Sequence, residues 1–95
     1  MTILVVDDQV WNCRLLRAQL EAAGHAVLEA ADGVEALAVL DYTPVDAIIS
    51  DLLMPRMDGY RLCYEVRQSE RHWAIPFLIL TGTYCSPADQ QLAQT

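Results

Sequence analysis

Hydrophobic and polar positions change period several times along this chain. Ile3-Leu4-Val5-Val6 is an uninterrupted apolar run closed by Asp7 and Asp8, the pattern of a central parallel strand covered on both faces. From Gln9 the spacing turns helical, with Trp11, Leu15, Leu16, Ala18, Leu20 and Ala23 in near-helical register and Gly24 placed to end the helix. His25 to Glu29 reads as a second, shorter strand, and Glu29 among its apolar neighbours marks an edge position. Asp32-Gly33 makes a turn in which Asp32 caps a helix through Glu35, Leu37 and Leu40, which Pro44 and Asp46 bring to an end. Ala47-Ile48-Ile49 is a short buried strand that stops at Asp51. A loop built on Pro55 then leads into a helix from about Asp58 to Glu70, capped by Asp58, which turns Leu62, Cys63, Val66 and, at its margin, Tyr60 inward. Arg71 to Ile75 is a connector without period, and Pro76 to Leu80 is a fourth buried strand that ends at Thr81. Gly82 to Cys85 forms a loop, Ser86-Pro87 opens a fourth helix, and the chain stops inside it at Thr95.

Strands alternating with helices at this spacing predict an α/β fold, a doubly wound parallel sheet with right-handed crossovers. Helices must cover both faces of such a sheet, so reversing the winding after the second strand puts the third beside the first. The ligand site of this architecture lies beyond the carboxyl ends of the strands, at that reversal. Asp7, Asp8, Asp51 and Thr81 all stand at strand ends, and the reversal turns Asp51 toward Asp7 and Asp8.

Composition narrows the function. A net charge of −7 and a pI near 4.4, with all six basic residues Arg and none Lys, exclude direct nucleic-acid binding through clustered cations. Cys13, Cys63 and Cys85 are odd in number and widely spaced, and His25 and His72 stand alone, so reduced, packed thiols are expected rather than disulfides or a zinc site. The chain opens as a strand without a basic n-region, and no apolar run nears the roughly 18 residues of a membrane helix. The expectation is a soluble, cytoplasmic protein that does not enter a membrane.

Two unit charges about 4 Å apart repel by roughly 4 kcal/mol at an effective dielectric near 20. Asp7, Asp8 and Asp51 brought together must take up protons or bind a cation. Hard oxygen ligands in an open loop favour Mg²⁺, which commonly shares its shell with phosphate oxygens. An ordinary Asp, with a pKa of about 3.9, is a nucleophile at neutral pH without a general base. The set therefore points to phosphoryl transfer onto Asp51, with the hydroxyl of Thr81 donating to a phosphate oxygen. Taken singly, Asp51 and Thr81 are explained as turn or cap residues, as Asp58 is. The adjacent pair Asp7-Asp8 is a costly way to make one cap, and jointly with Asp51 it carries the assignment.

Leu4-Val5-Val6-Asp7-Asp8, Ala31-Asp32-Gly33-Val34-Glu35-Ala36-Leu37, Asp51-Leu52-Leu53-Met54-Pro55-Arg56-Met57-Asp58-Gly59 and Ile79-Leu80-Thr81 together resemble the receiver domain of two-component response regulators, over the whole chain. The resemblance implies a flavodoxin-like sheet, here in the order 2-1-3-4 with the fifth strand-helix unit missing, so that residues 1–95 form an incomplete receiver. It implies Asp51 as the phosphoacceptor, Asp7, Asp8, Asp51 and the backbone carbonyl of Leu53 as Mg²⁺ ligands, and Thr81 as the switch hydroxyl. The family's phosphoryl-binding lysine, carried in that fifth unit, has no counterpart among these residues.

The function so implied is a phospho-accepting module of a phosphorelay, served by a histidine kinase or a phosphotransfer domain. A pseudo-receiver that never accepts phosphate is the alternative of a different class. An aspartyl-phosphate hydrolase is a further one, against which stands Leu53 where such enzymes often carry a second acid. A fourth strand left as an apolar edge is expected to pair with a second copy, seen as a concentration-dependent mass in sedimentation.

Overall fold

The structure is a computed structural model, and it describes residues 1–80. In chain order the elements are β1 (Thr2–Val6), α1 (Val10–Ala22), β2 (Ala26–Ala30), α2 (Gly33–Tyr42), β3 (Ala47–Asp51), α3 (Gly59–Gln68) and β4 (Phe77–Leu80). The strands form one parallel sheet in the order β2-β1-β3-β4, which is the predicted architecture. Thr81, Cys85, the Ser86-Pro87 helix start and the fourth helix lie outside the described residues.

Each turn of the chain has a local cause. Gly24 takes φ 95°, a left-handed conformation cheap only for glycine. It lets its amide reach Glu21 O at 3.0 Å and that of His25 reach Leu20 O at 3.1 Å, the paired bonds that close a helix C-terminus. Asp32 and Asp58 cap α2 and α3 as expected, their Oδ1 atoms accepting from the amides of Glu35 at 2.9 Å and Arg61 at 2.8 Å. Asp46 ties the starts of β1 and β3, its amide donating to Thr2 O at 2.8 Å and its Oδ2 accepting from Thr2 N at 2.7 Å.

Side chains alternate across the sheet and so divide the core in two. Leu4 and Val6 of β1 join Ala30, Ile48, and the inward residues of α2 (Ala36, Leu40) and α3 (Leu62, Val66). Ile3 and Val5 face the other way and meet Val27, Cys13 and, partly buried, Leu16 and Leu20 of α1. Among the described residues one helix covers one face and two helices cover the other, which is the double winding.

Three expectations are corrected. In α1 the buried stripe is Cys13, Leu16 and Leu20, whereas Trp11 and Leu15 are 85% and 61% exposed. Of the residues in helical register, Leu16 and Leu20 do face the sheet, while Trp11 and Leu15 lie a fraction of a turn away from that line. In α3 Tyr60 is 66% exposed, and Gly59 takes the buried place one turn before Leu62. A step of two residues rotates a helix by about 200°, so Tyr60 and Leu62 point apart. Finally, β4 is half-covered rather than buried, with Leu78 and Leu80 exposed at 55% and 37%. Leu78 pairs with Ile49 on the α1 side of the sheet, and among the described residues α1 reaches across β1 and β2 without covering β4. Within the same residues no helix is long and apolar enough to cross a membrane, and Cys13 and Cys63 are free thiols.

Leu62 is fully buried against the sheet, so Leu62→Ala is expected to cost about 2–5 kcal/mol of stability. Leu15→Ala on the exposed side of α1 is expected to stay within about 0.5 kcal/mol. Urea denaturation of both variants checks the contrast; equal losses would mean that α1 is seated differently.

Candidate functional site

Parallel register assembles the acidic cluster. Val6 of β1 is level with Ser50 of β3, so the next residues, Asp7 just past β1 and Asp51 at the end of β3, stand side by side at the rim of the sheet. Carboxylate oxygens of Asp7, Asp8 and Asp51 all lie within 4.8 Å of one another, as the sequence predicted. Asp7 is buried, Asp51 half-buried and Asp8 exposed, so the cluster opens to solvent on one side. Asp7 and Asp8 have no ion-pair partner among the described residues.

Asp7 is held from several directions. Its amide donates to Ala30 O at 3.0 Å, its Oδ1 accepts from Gln9 N at 2.8 Å, and its carbonyl accepts from Cys13 Sγ at 3.3 Å. Oδ2 is left without a hydrogen bond among the described residues. Burial first, and then the Asp7 carboxylate, push the Cys13 thiol up to about 11, so Cys13 is a protonated donor and not a thiolate nucleophile. A shallow cleft of about 150 Å³ beside Asp7 and Asp8 is walled by Val10, Cys13, Glu29 and Glu35.

Asp51 is set by the end of β3 and the loop after it. Its Oδ1 accepts from Leu52 N at 2.8 Å, and its carbonyl accepts from Ser50 Oγ at 2.8 Å. Leu52 N donates to Leu80 O at 3.0 Å and Leu52 O accepts from Gly59 N at 2.8 Å, so the loop is pinned to β4 and to the start of α3. A Cβ on Gly59 would sit 2.5 Å from Asp51 O and 3.1 Å from Leu52 Cα. Glycine is required here because the backbones touch. Leu53 lies in the same loop with its residue 73% exposed. Thr81 follows Leu80, the partner of Asp51 in the sheet, and is outside the described residues.

Sequence reasoning missed one contact of this loop. Arg56 donates through Nε at 2.7 Å and through Nη2 to Oδ2 of Asp32, so the residue read only as a helix cap also anchors the loop after Asp51. The amide of Glu35 first, and then Arg56, hold the Asp32 carboxyl below its ordinary range against the opposing effect of burial. No periodicity links positions 24 residues apart, and only the fold brings them together.

Comparison with known proteins agrees with this geometry. Residues 3–94 match the family described as response regulator receiver domain. The chain is 52% identical over 68 residues to the sensor histidine kinase RcsC of Escherichia coli (strain K12), covering 72% of this chain and 7% of that protein. It is 38% identical over 80 residues to the DNA-binding dual master transcriptional regulator RpaA of Synechocystis, covering 84% of this chain and 33% of that protein. The chain thus spans from under a tenth to a third of such curated relatives. Among solved structures, the chemotaxis response regulator CheY4 of Vibrio cholerae superposes with a TM-score of 0.82 at 39% identity, over 95% of this chain and 74% of that one. The receiver domain of a signal transduction histidine kinase from Syntrophus aciditrophicus gives 0.83 at 35% identity, over 98% and 69%.

Gly59→Ala is expected to displace the Asp51–Leu52 backbone by several tenths of an ångström or more, and amide chemical shifts at Ser50 to Leu53 should move while those of α1 stay in place. A carboxyl held low in the folded state contributes stability that is complete above its unfolded value and disappears as pH falls through the folded one. Asp32→Asn is therefore expected to flatten the acid limb of stability below about pH 4, and thermal melts across the acid range measure it.

Proposed function

This chain belongs to the response regulator receiver domain family, which it matches over residues 3–94, and from that membership we propose a phospho-accepting module that takes a phosphoryl group onto Asp51 from a histidine kinase or phosphotransfer domain. The observation that carries the proposal is the meeting of Asp7, Asp8 and Asp51 carboxylate oxygens within 4.8 Å. Receiver domains are signalling modules rather than classical enzymes. In this reading residues 1–95 belong to one receiver domain, in the cytoplasm, and the acquired phosphoryl group changes which partner the domain binds.

The donor set fits Mg²⁺, because carboxylate oxygens are hard ligands and three of them gathered within 4.8 Å of one another concentrate negative charge that a hard cation would balance. Asp7, Asp8, Asp51 and the Leu53 carbonyl would hold the ion, with Asp7 oriented by the Gln9 amide and its Oδ2 left available. When bound, Mg²⁺ supplies positive charge opposite the phosphoryl oxygens and relieves the repulsion among the acids.

A carboxylate oxygen of Asp51 attacks phosphorus as the P–N bond of the donor's phosphohistidine breaks. The bonding pair leaves with the imidazole nitrogen, and Asp51 becomes an acyl phosphate. The Leu52 amide on Asp51 Oδ1 fixes the rotamer, which leaves the attack direction to be set by the strand end. The hydroxyl of Thr81 donates to a phosphoryl oxygen and reports the added charge of roughly −1.5 to −2 to the segment that follows. Water later attacks phosphorus, releases inorganic phosphate and restores the carboxylate, so the signal decays.

Incubation with a small-molecule phosphodonor is expected to add one phosphoryl group to the intact mass with Mg²⁺ and none without it, and Asp51→Asn is expected to remain unmodified in both. No gain in a folded sample would overturn the proposal and leave a pseudo-receiver, an interaction module that works without phosphate.

A further inference from the structure

The loop that follows Asp51 is tied across the rim of the site by a contact that phosphoryl transfer itself does not require. Asp32 is 4% exposed and both of its carboxylate oxygens are used, Oδ1 by the Glu35 amide and Oδ2 by the Nε and Nη2 of Arg56. The guanidinium side is open to solvent, with a side chain 61% exposed. Exposed ion pairs count for little, but here one partner is buried, and removing the other would leave an uncompensated carboxylate inside the protein.

The backbone points the same way. Arg56 stands at φ 65°, a left-handed conformation that costs an L side chain and suits glycine. Asp32 recovers that cost only with a side chain long enough to reach it. Next in sequence, Met57 packs into the core on the α2 side, and a Cβ on Gly33 would meet its Cγ at 2.7 Å. The loop therefore has two fixed points. Leu52 is held by Leu80 and Gly59, and Arg56 by Asp32. Only Leu53, Met54 and Pro55 lie between them.

We propose that the Arg56–Asp32 pair is a latch that presents the Leu53 carbonyl to the cation, which makes Arg56 a positioning residue for metal binding although it touches neither metal nor phosphate. The latch rests on the reading of the acidic cluster as a Mg²⁺ site. It also couples that site to the first turn of α2, because the carboxylate that holds Arg56 is the cap of that helix.

The test is a calorimetric Mg²⁺ titration of the protein, of Arg56→Gly and of Arg56→Lys, with amide hydrogen exchange read over residues 52–57. Glycine suits the left-handed backbone, so Arg56→Gly removes the latch without adding strain. Its Mg²⁺ affinity is expected to fall by roughly tenfold, the low end for groups that orient a metal ligand, and the amides of Leu53, Met54 and Met57 are expected to exchange faster. Arg56→Lys keeps a cation of different reach and is expected to recover part of the affinity. Val66→Ala, which loosens the core away from the loop, is expected to bind Mg²⁺ as the unaltered protein does, and a loss there equal to that of Arg56→Gly would overturn the latch as mere stability. Tight binding by both the unaltered protein and Arg56→Gly, with unchanged exchange, overturns the latch alone. An unaltered protein that binds no Mg²⁺ overturns the metal reading, and the latch with it.

Discussion

Mutual repulsion among three carboxylates is the constraint around which this structure is arranged. Asp7, Asp8 and Asp51 bring oxygens within 4.8 Å of one another, and each pair of charges at about 4 Å costs roughly 4 kcal/mol at an effective dielectric near 20. Nothing local to either sequence segment brings them there. The β1–β3 pairing does so, because its register sets Val6 beside Ser50 and so places Asp7 and Asp51 at the same level of the sheet's rim. The apolar strands hold the acids together against their charge, and folding energy from two separate cores keeps a site that would otherwise spread apart.

The packing around that register leaves the site little freedom. Ser50 is fully buried and gives its hydroxyl to Asp51 O, Gly59 lies against the same carbonyl, and Leu52 is bonded to both β4 and α3. Buried polar groups of this kind are acceptable only when satisfied, and here each donor meets an acceptor on the acceptor loop. The loop is thus firm at its base, tied at Arg56, and short of contacts only near Leu53. Under the proposed function, that distribution would have the ligands ready before a cation and a phosphoryl group arrive, since ordering them on arrival would subtract from binding.

The helices differ in how much of their position was written in their sequences. In α3, Leu62 and Val66 stand four apart and both are buried, so the periodic signal and the packed face coincide. In α1, apolar residues lie on more than one face, and spacing alone favoured Trp11 and Leu15 over Cys13. Cysteine carries a weak hydrophobic signal, and tryptophan a strong one. Beneath the helix the cysteine is buried and donates to Asp7 O. In β4 the apolar run Phe77 to Leu80 reads as buried on both sides, yet exposure depends on which helix lies above each face.

By itself the sequence determined the elements, their order, the winding of the sheet and the identity of its acids, because apolar periodicity, turn residues and strand-end carboxylates are all local or nearly local signals. Family resemblance added two expectations, the Leu53 carbonyl as a ligand and Thr81 as a switch. Only the tertiary structure decided which side of α1 faces the sheet, which side chains approach Asp7, why residue 59 must be glycine, and that Asp32 holds Arg56. Those are contacts between distant segments, and their energies depend on distances of a few ångströms that no residue's own chemistry specifies until the sheet has brought the segments together.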